Sequence, residues 1–164
     1  MNKLALFVIG ILLFSCKSTN SVNKGEAVKI AIDTLLQDKI SIRALVLDHD
    51  KFWYAADQSR FGCIDLNSNQ KKEIKIISEK NVEFRSIAQT KKYVFILNVG
   101  NPALLFKISK IDLSYELVYQ ENHEKVFYDS MQFWNDKEGI AIGDPIEGSF
   151  SVITNRDGRS SWQK

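Results

Sequence analysis

The side chains that could support chemistry are few and lie far apart in the chain. His49, between two aspartates, and His123, in a polar connection, are the two histidines. Neither has the third ligand that a tetrahedral metal site would need at a recognisable spacing. The sequence also contains no glycine-rich phosphate loop and no nucleophile elbow. We therefore predict no catalytic residues, no metal and no cofactor, and an enzyme is the less favoured function.

The two cysteines suggest different roles. Cys63 alternates with apolar residues, which favours a small buried core residue over a reactive thiol. Cys16 lies where an apolar run meets a polar segment. If Cys16 is modified, Cys63 has no partner within the chain, so we expect no intramolecular disulfide.

The first residues have the layout of a signal peptide. Lys3 precedes an apolar run at residues 4–14, and Ser15 is a small residue at the expected cleavage point. A membrane-spanning helix would need about 20 apolar residues, so the run is too short to span. Residues 12–16 (LLFSC) resemble a bacterial lipobox, although a chance cysteine in an ordinary signal peptide is the alternative.

This resemblance implies an exported lipoprotein. We predict a signal peptide at residues 1–15, lipid attachment at Cys16 and a flexible tether at residues 16–27, which are rich in Ser, Asn and Lys. The protein would be anchored to a bacterial membrane in the cell envelope and would face the periplasm. The chain has 22 Lys and Arg against 20 Asp and Glu with no basic cluster, so we expect no nucleic-acid partner.

The remainder of the chain consists of short alternating or apolar runs separated by polar turns. This pattern predicts an all-β protein. The predicted strands are residues 28–36, 41–48, 52–57, 61–66, 73–78, 84–89, 93–99, 104–109, 117–120, 126–134, 139–143 and 149–154.

These strands repeat as a set. Arg43, Arg85 and Asp129 occupy one position of the repeat, at spacings of 42 and 44 residues. Such a period, with three or four short strands in each unit, is typical of propeller blades. We predict a partial β-propeller of about three four-stranded blades at residues 37–80, 81–124 and 125–164; a β-sandwich is the alternative.

Three blades are fewer than a closed propeller uses. We therefore expect a truncated propeller whose further blades belong to a longer product, with residues 28–36 completing the last blade. Self-association that closes the ring is the other possibility.

Two segments carry a more specific resemblance. Residues 126–134 with 139–145, and residues 98–103, resemble bacterial lipoprotein propellers related to the photosystem II assembly factor and to BNR (Asp-box) repeat proteins. Members of this family are often labelled oxidoreductases or glycosyl hydrolases. Residues 155–162 resemble an Asp-box turn, which would assign structural roles to Asp157, Gly158 and Trp162, although Asn155 and Arg159 depart from the pattern.

A propeller places binding groups on loops at strand ends and around its channel. We expect Arg43, Arg85 and Asp129 at a channel rim, unless the arginines merely pair with neighbouring carboxylates. The candidate binding loops contain Asn98, Gly100, Asn101 and Asp144; a turn-capping role is the alternative for Asp144.

The sequence thus favours a lipid-anchored module that binds another protein, of unknown identity, or assists assembly without catalysis. The alternative is a fragment of a propeller enzyme, either glycosidase- or sialidase-like or an oxidoreductase, whose active site needs further blades. A third possibility is a fragment with no function of its own.

Overall fold

The computed structural model describes residues 29–78 and 82–164. The predicted signal peptide, Cys16 and the tether lie outside the described residues. Residues 29–33 have no regular secondary structure, and Thr34–Lys164 form a compact unit. No helix in the described part of the chain is long and apolar enough to cross a membrane.

The compact unit contains twelve strands within the described residues. They are β1 Ile42–Asp48, β2 Lys51–Ala56, β3 Arg60–Asp65, β4 Lys71–Lys75, β5 Phe84–Gln89, β6 Tyr93–Asn98, β7 Ala103–Ser109, β8 Tyr115–Glu121, β9 Tyr128–Phe133, β10 Gly139–Ile146, β11 Ser149–Asn155 and β12 Trp162–Gln163.

These strands form three antiparallel sheets in which each strand pairs with the next along the chain. The first sheet is β1–β4, the second is β5–β8 and the third is β9–β12. Their first strands begin at Ile42, Phe84 and Tyr128, and so follow the spacing of the sequence repeat. The prediction of an all-β chain is confirmed.

The second sheet lies in the middle of the packing and is buried on both faces. In β6, Val94 and Ile96 belong to a core shared with the first sheet, whereas Phe95 and Leu97 belong to a core shared with the third. Because successive side chains of a strand point to opposite faces, one continuous apolar run can serve two cores.

Each core is built around aromatic side chains. In the core of the first and second sheets, Trp53 is 1% exposed and packs in one cluster with Phe61 and Phe106. In the core of the second and third sheets, Phe95 stacks on Phe133 with ring centroids 4.7 Å apart, and both meet Trp162 edge-on. Such offset and edge-to-face arrangements are favoured by the aromatic quadrupole.

Part of the other face of the first sheet is covered by the segment that precedes β1. Leu36 and Ile40 pack against Tyr54 there. Beside them, the Arg60 guanidinium bonds Asp38 of the segment and Glu73 of β4, each at 2.6 Å. An ion pair therefore ties this segment to the sheet.

Two details of the predicted strand pattern differ from the structure. Residues 29–36 contribute no strand to the three sheets, so the predicted strand at 28–36 is wrong over its described part. A strand needs a neighbour with which to exchange hydrogen bonds, and alternation in sequence does not reveal one. Conversely, Trp162 and Gln163 form β12, the fourth strand of the third sheet, which was not among the predicted strands.

Candidate functional site

Five of the residues predicted at the rim and in the loops line a single pocket of about 440 Å³, here called the rim pocket. It opens where β5 begins and β6 ends. Its lining comprises Arg43, Val82, Glu83, Arg85, Asn98, Val99, Gly100, Asn101, Pro102 and Phe127. The structure thus brings together two arginines from neighbouring sheets and the β6–β7 loop.

A hydrogen bond repeated in all three sheets fixes this end of each blade. An amide in the last part of the second strand, or directly after it, donates to the carbonyl before the first strand: Asp57 N to Ser41 O at 3.1 Å, Val99 N to Glu83 O at 3.1 Å, and Asp144 N to Phe127 O at 2.8 Å. Asp57 and Val99 directly follow their strands, whereas β10 continues past Asp144 to Ile146. In the second sheet this bond sets the start of the β6–β7 loop beside Arg85.

Both arginines of the rim pocket have carboxylate neighbours. Arg85 Nε lies 3.1 Å from Asp129 Oδ1, and its guanidinium lies 5.3 Å from the centre of the Phe127 ring. Arg43 makes a longer contact of 3.9 Å with Glu83. The two guanidinium side chains remain 46% and 39% exposed, so their remaining N–H groups can still donate to a ligand.

Asn98 shapes the loop rather than facing a ligand. Its side chain is buried, its amide nitrogen donates to the carbonyls of Gly100 and Pro102, and its amide oxygen accepts from the Leu104 backbone. These three bonds use most of its hydrogen-bonding capacity. Asn101, by contrast, is exposed at the mouth of the pocket.

Asp144 does not line the rim pocket, although it is bonded through its backbone to Phe127, which does. It occupies the position in the third sheet that Val99 occupies in the second, and its backbone amide bonds Phe127. Its side chain is exposed. The structure therefore separates Asp144 from Asn98, Gly100 and Asn101, which sequence position alone had grouped with it.

The Asp-box-like segment forms a tight turn before β12. The Asn155 side chain accepts from the Gly158 amide at 2.6 Å, and Asp157 accepts from the Arg159 amide at 2.8 Å. Burial raises the pKa of the Asp157 carboxyl, but bonds led by that from the Arg159 amide outweigh it and leave the pKa lowered. Gly158 has φ +65°, and Trp162 packs into the core below.

Glu83 and Phe127 are among the pocket residues that were not predicted as site residues from the sequence. Each directly precedes the first strand of its sheet and supplies the carbonyl of the repeated hydrogen bond. Their equivalence to Ser41 at the repeat spacing was the signal that could have identified them.

A second polar cluster, on the first sheet, also escaped the sequence analysis. Tyr54 donates to Glu73, which Arg60 and Lys71 also contact. Burial raises the pKa of Glu73, but these hydrogen bonds outweigh it and hold the pKa below its ordinary value. Since Asp38 also joins Arg60, the cluster anchors the segment before β1 and has a structural role.

The chemistry available in the rim pocket is that of recognition. The arginines can donate to carbonyl or carboxylate oxygens, Phe127 offers an aromatic surface, and the β6–β7 loop offers backbone groups. The residues that line it do not include a nucleophile within reach of a general base. An extended peptide is a ligand with the matching mixture of polar backbone and apolar side chains.

The chain is similar in structure to long β-propellers. A structure described as YCF48 bound to D1 peptide matches with a TM-score of 0.60 at 11% identity, over 76% of this chain and 40% of that one. The structure of U3-55K matches with a TM-score of 0.60 at 14% identity, over 79% of this chain and 40% of that one. The WD40 repeats of RRP9 match with a TM-score of 0.60 at 15% identity, over 79% of this chain and 39% of that one.

These likenesses show the fold. The chain forms part of a β-propeller with three four-stranded blades, so the predicted fold class is confirmed. It spans about two fifths of the length of the propellers it matches. No protein-family model and no curated protein matches the sequence, and the finer resemblance to BNR-repeat lipoproteins stays a prediction.

Proposed function

We propose that this chain belongs to a lipid-anchored propeller of the bacterial cell envelope that binds a segment of another protein in the rim pocket, without catalysis. The observation that carries the proposal is the convergence of Arg43 and Arg85, from equivalent strands of neighbouring sheets, on one pocket with Phe127. The solved propeller YCF48, similar in fold, is described as bound to a peptide.

The pocket suits a peptide better than a small anion. Arg43 and Arg85 are accompanied by Glu83 and Asp129, so the formal charges of the four side chains balance. A free anion would find little net attraction there. A peptide can use the guanidinium groups and Phe127 at once, because it combines hydrogen-bond acceptors with apolar side chains.

The proposed membrane localisation rests on the sequence. The lipobox-like residues before Cys16 support acylation, and two or more acyl chains on one cysteine would anchor the protein stably. The polar residues that follow would let the propeller reach a partner in the envelope.

Peptide binding is tested by selecting a random-sequence phage library on the full chain and measuring the affinity of recovered peptides by fluorescence anisotropy. Changing both arginines, Arg43→Ala with Arg85→Ala, is expected to weaken binding at least about tenfold. Loss of one charge-assisted hydrogen bond of about 1.5–3 kcal/mol suffices for that change.

The matched control changes Arg156→Ala with Arg159→Ala, which removes the same charge from exposed positions outside the rim pocket. This control should bind the peptides as the unmodified chain does. Equal affinity of all three proteins, or a library from which no peptide is recovered, would rule out the rim pocket as the binding site.

A further inference from the structure

A cavity of about 140 Å³ lies between the first and second sheets and shares no residue with the rim pocket. Residues of β2, β3 and β4 supply one wall, and the turn between β7 and β8 supplies the other. It is here called the lysine cavity, because its charged lining consists of Lys51, Lys72, Lys110 and Asp65. Its chemistry is therefore independent of the proposed peptide site.

The register of the first sheet places an indole, a thiol and an ammonium group in one row of this cavity. Trp53 of β2 is paired with Cys63 of β3, and Cys63 is paired with Lys72 of β4. Directly paired residues of adjacent strands point to the same face of a sheet. Trp53 and Cys63 belong to the core shared with the second sheet, so Lys72 lies on that face at the exposed edge of the row.

Two of the lysines have no ionic partner. Neither Lys51 nor Lys72 forms a salt bridge or a side-chain hydrogen bond with any residue that the structure describes. Asp65, the carboxylate of the lining, instead accepts from the backbone amides of Asn67 and Ser68 and from the Ser68 hydroxyl. The ammonium groups of Lys51 and Lys72 are therefore available to a ligand.

Lys110 supplies the third ammonium group, from the second sheet. Its side chain is 11% exposed, and its Nζ lies 2.8 Å from Asp48 Oδ2 and 2.8 Å from Gln89 Oε1. An ammonium group has three N–H donors, so one remains after these two bonds. Three ammonium groups against the carboxylates of Asp65 and Asp48 leave an excess of one positive charge. The lysine cavity thus differs from the rim pocket, where the charges balance.

The indole of Trp53 adds an unused donor. Trp53 lines the cavity although it is only 1% exposed, and its Nε1–H has no hydrogen-bond partner within the described part of the chain. A buried indole N–H usually has a partner, because leaving it unpaired costs the desolvation energy of the group. The equivalent residue of the second sheet is Phe95, which is fully buried and carries no donor. Packing alone therefore does not require the indole N–H.

We propose that the lysine cavity binds phosphate, as the free ion or as a small phosphate monoester, through the ammonium groups of Lys51 and Lys72 and the indole N–H of Trp53. Lysine binds phosphate as a compact point charge, and hydrogen bonds to a charged acceptor are about twice as strong as neutral ones. Bound phosphate supplies the acceptor that the indole lacks and the negative charge that the two lysines lack. The volume suits a ligand of this size, since sites for drug-sized molecules take about 300–1,000 Å³.

The thiol in the wall of the cavity is compatible with an anion. Burial raises the pKa of Cys63, and the ammonium groups of Lys51 and Lys72 lower it by less. The thiol therefore stays uncharged at neutral pH and does not occupy the two lysines as a thiolate would.

The Trp53 indole N–H is the direct reporter of binding. The chain has three tryptophans, so the ¹H–¹⁵N spectrum of the ¹⁵N-labelled full chain contains three indole signals, and Trp53→Phe identifies the one from Trp53. Inorganic phosphate, added at constant ionic strength, is expected to move this signal downfield and saturably. A tighter response to glycerol 3-phosphate would identify a phosphate monoester as the ligand, and a weaker one the free ion.

Replacing both unpaired lysines, Lys51→Met with Lys72→Met, is expected to raise the dissociation constant for phosphate at least about tenfold, because charge-assisted hydrogen bonds are lost. Methionine keeps the length of the side chain and removes its charge. The matched control is Lys92→Met with Lys125→Met, which removes the same charge from exposed positions outside the cavity. The control should bind phosphate as the unmodified chain does.

Two results would overturn the proposal. One is an indole signal of Trp53 that does not move saturably with phosphate up to about 10 mM, roughly tenfold above a millimolar dissociation constant. The other is an equal response of the unmodified chain and the Lys51→Met, Lys72→Met variant.

Discussion

Replacing Trp53 by alanine is expected to lower the free energy of unfolding by about 3–5 kcal/mol. The indole is 1% exposed and lies in the core shared by the first and second sheets. Its removal leaves a cavity that the surrounding strands, fixed by ladder hydrogen bonds on both sides, cannot collapse to fill. Urea denaturation followed by far-ultraviolet circular dichroism measures the loss.

The matched control for this prediction is Trp134→Ala. Trp134 is 60% exposed, so its replacement should change the free energy of unfolding by no more than about 0.5 kcal/mol. If Trp53→Ala leaves too little folded protein, Trp53→Phe gives a smaller loss in the same direction. Equal effects at Trp53 and Trp134 would mean that the two sheets do not pack face to face through this side chain.

Replacing Gly158 by alanine is expected to cost about 2–5 kcal/mol in the free energy of unfolding. A side chain at φ +65° costs about 1–2 kcal/mol. In addition, an added Cβ would lie 1.8 Å from the Asp136 carbonyl oxygen, which belongs to a neighbouring turn of the third sheet, and relieving such a clash costs about 1–3 kcal/mol. Thermal and urea unfolding of the variant give the value.

Gly148→Ala separates backbone strain from crowding. Gly148 has φ +83° in the two-residue turn between β10 and β11, where an added Cβ meets no atom within 4 Å. Its replacement should cost only about 1–2 kcal/mol, the conformational part. A loss at Gly158 no larger than that at Gly148 would contradict the close packing of the Asp-box-like turn.

The fold could be predicted because its signals are local and repeated. β5 was predicted with its exact bounds from alternation alone, since Phe84, Ser86 and Ala88 are buried and the residues between them are not. Three copies of one strand pattern at nearly constant spacing then indicated stacked sheets. The segment at residues 29–36 alternates too, but nothing in its own sequence shows whether a partner strand exists.

The site was predictable only in part. The repeat placed Arg43 and Arg85 at equivalent positions, and the structure puts both in the rim pocket. The hydrogen bonds of Asn98 were not predictable: Asn98 was predicted as a binding residue, yet most of its hydrogen-bonding capacity is used by the β6–β7 loop. Phe127 lines the rim pocket because the third sheet packs beside the second. A pattern along the sequence does not show which sheets are neighbours.

The rim pocket is separate from the residues that hold the sheets together. The pocket lies at strand ends, where side chains from two sheets converge without being needed for packing. The residues that hold the sheets together lie in the two cores between them. Changes at Arg43 and Arg85 should therefore alter binding without altering the packing of the sheets.

The sequence repeat builds sheets that pack face to face in a fixed register. A double-mutant cycle of Phe95→Leu and Phe133→Leu, measured by urea unfolding, tests it directly because these rings stack across two sheets at 4.7 Å. A coupling energy of about 0.5–1.5 kcal/mol between the two changes is expected. Strict additivity of the two losses would mean that the two sheets do not pack through these rings.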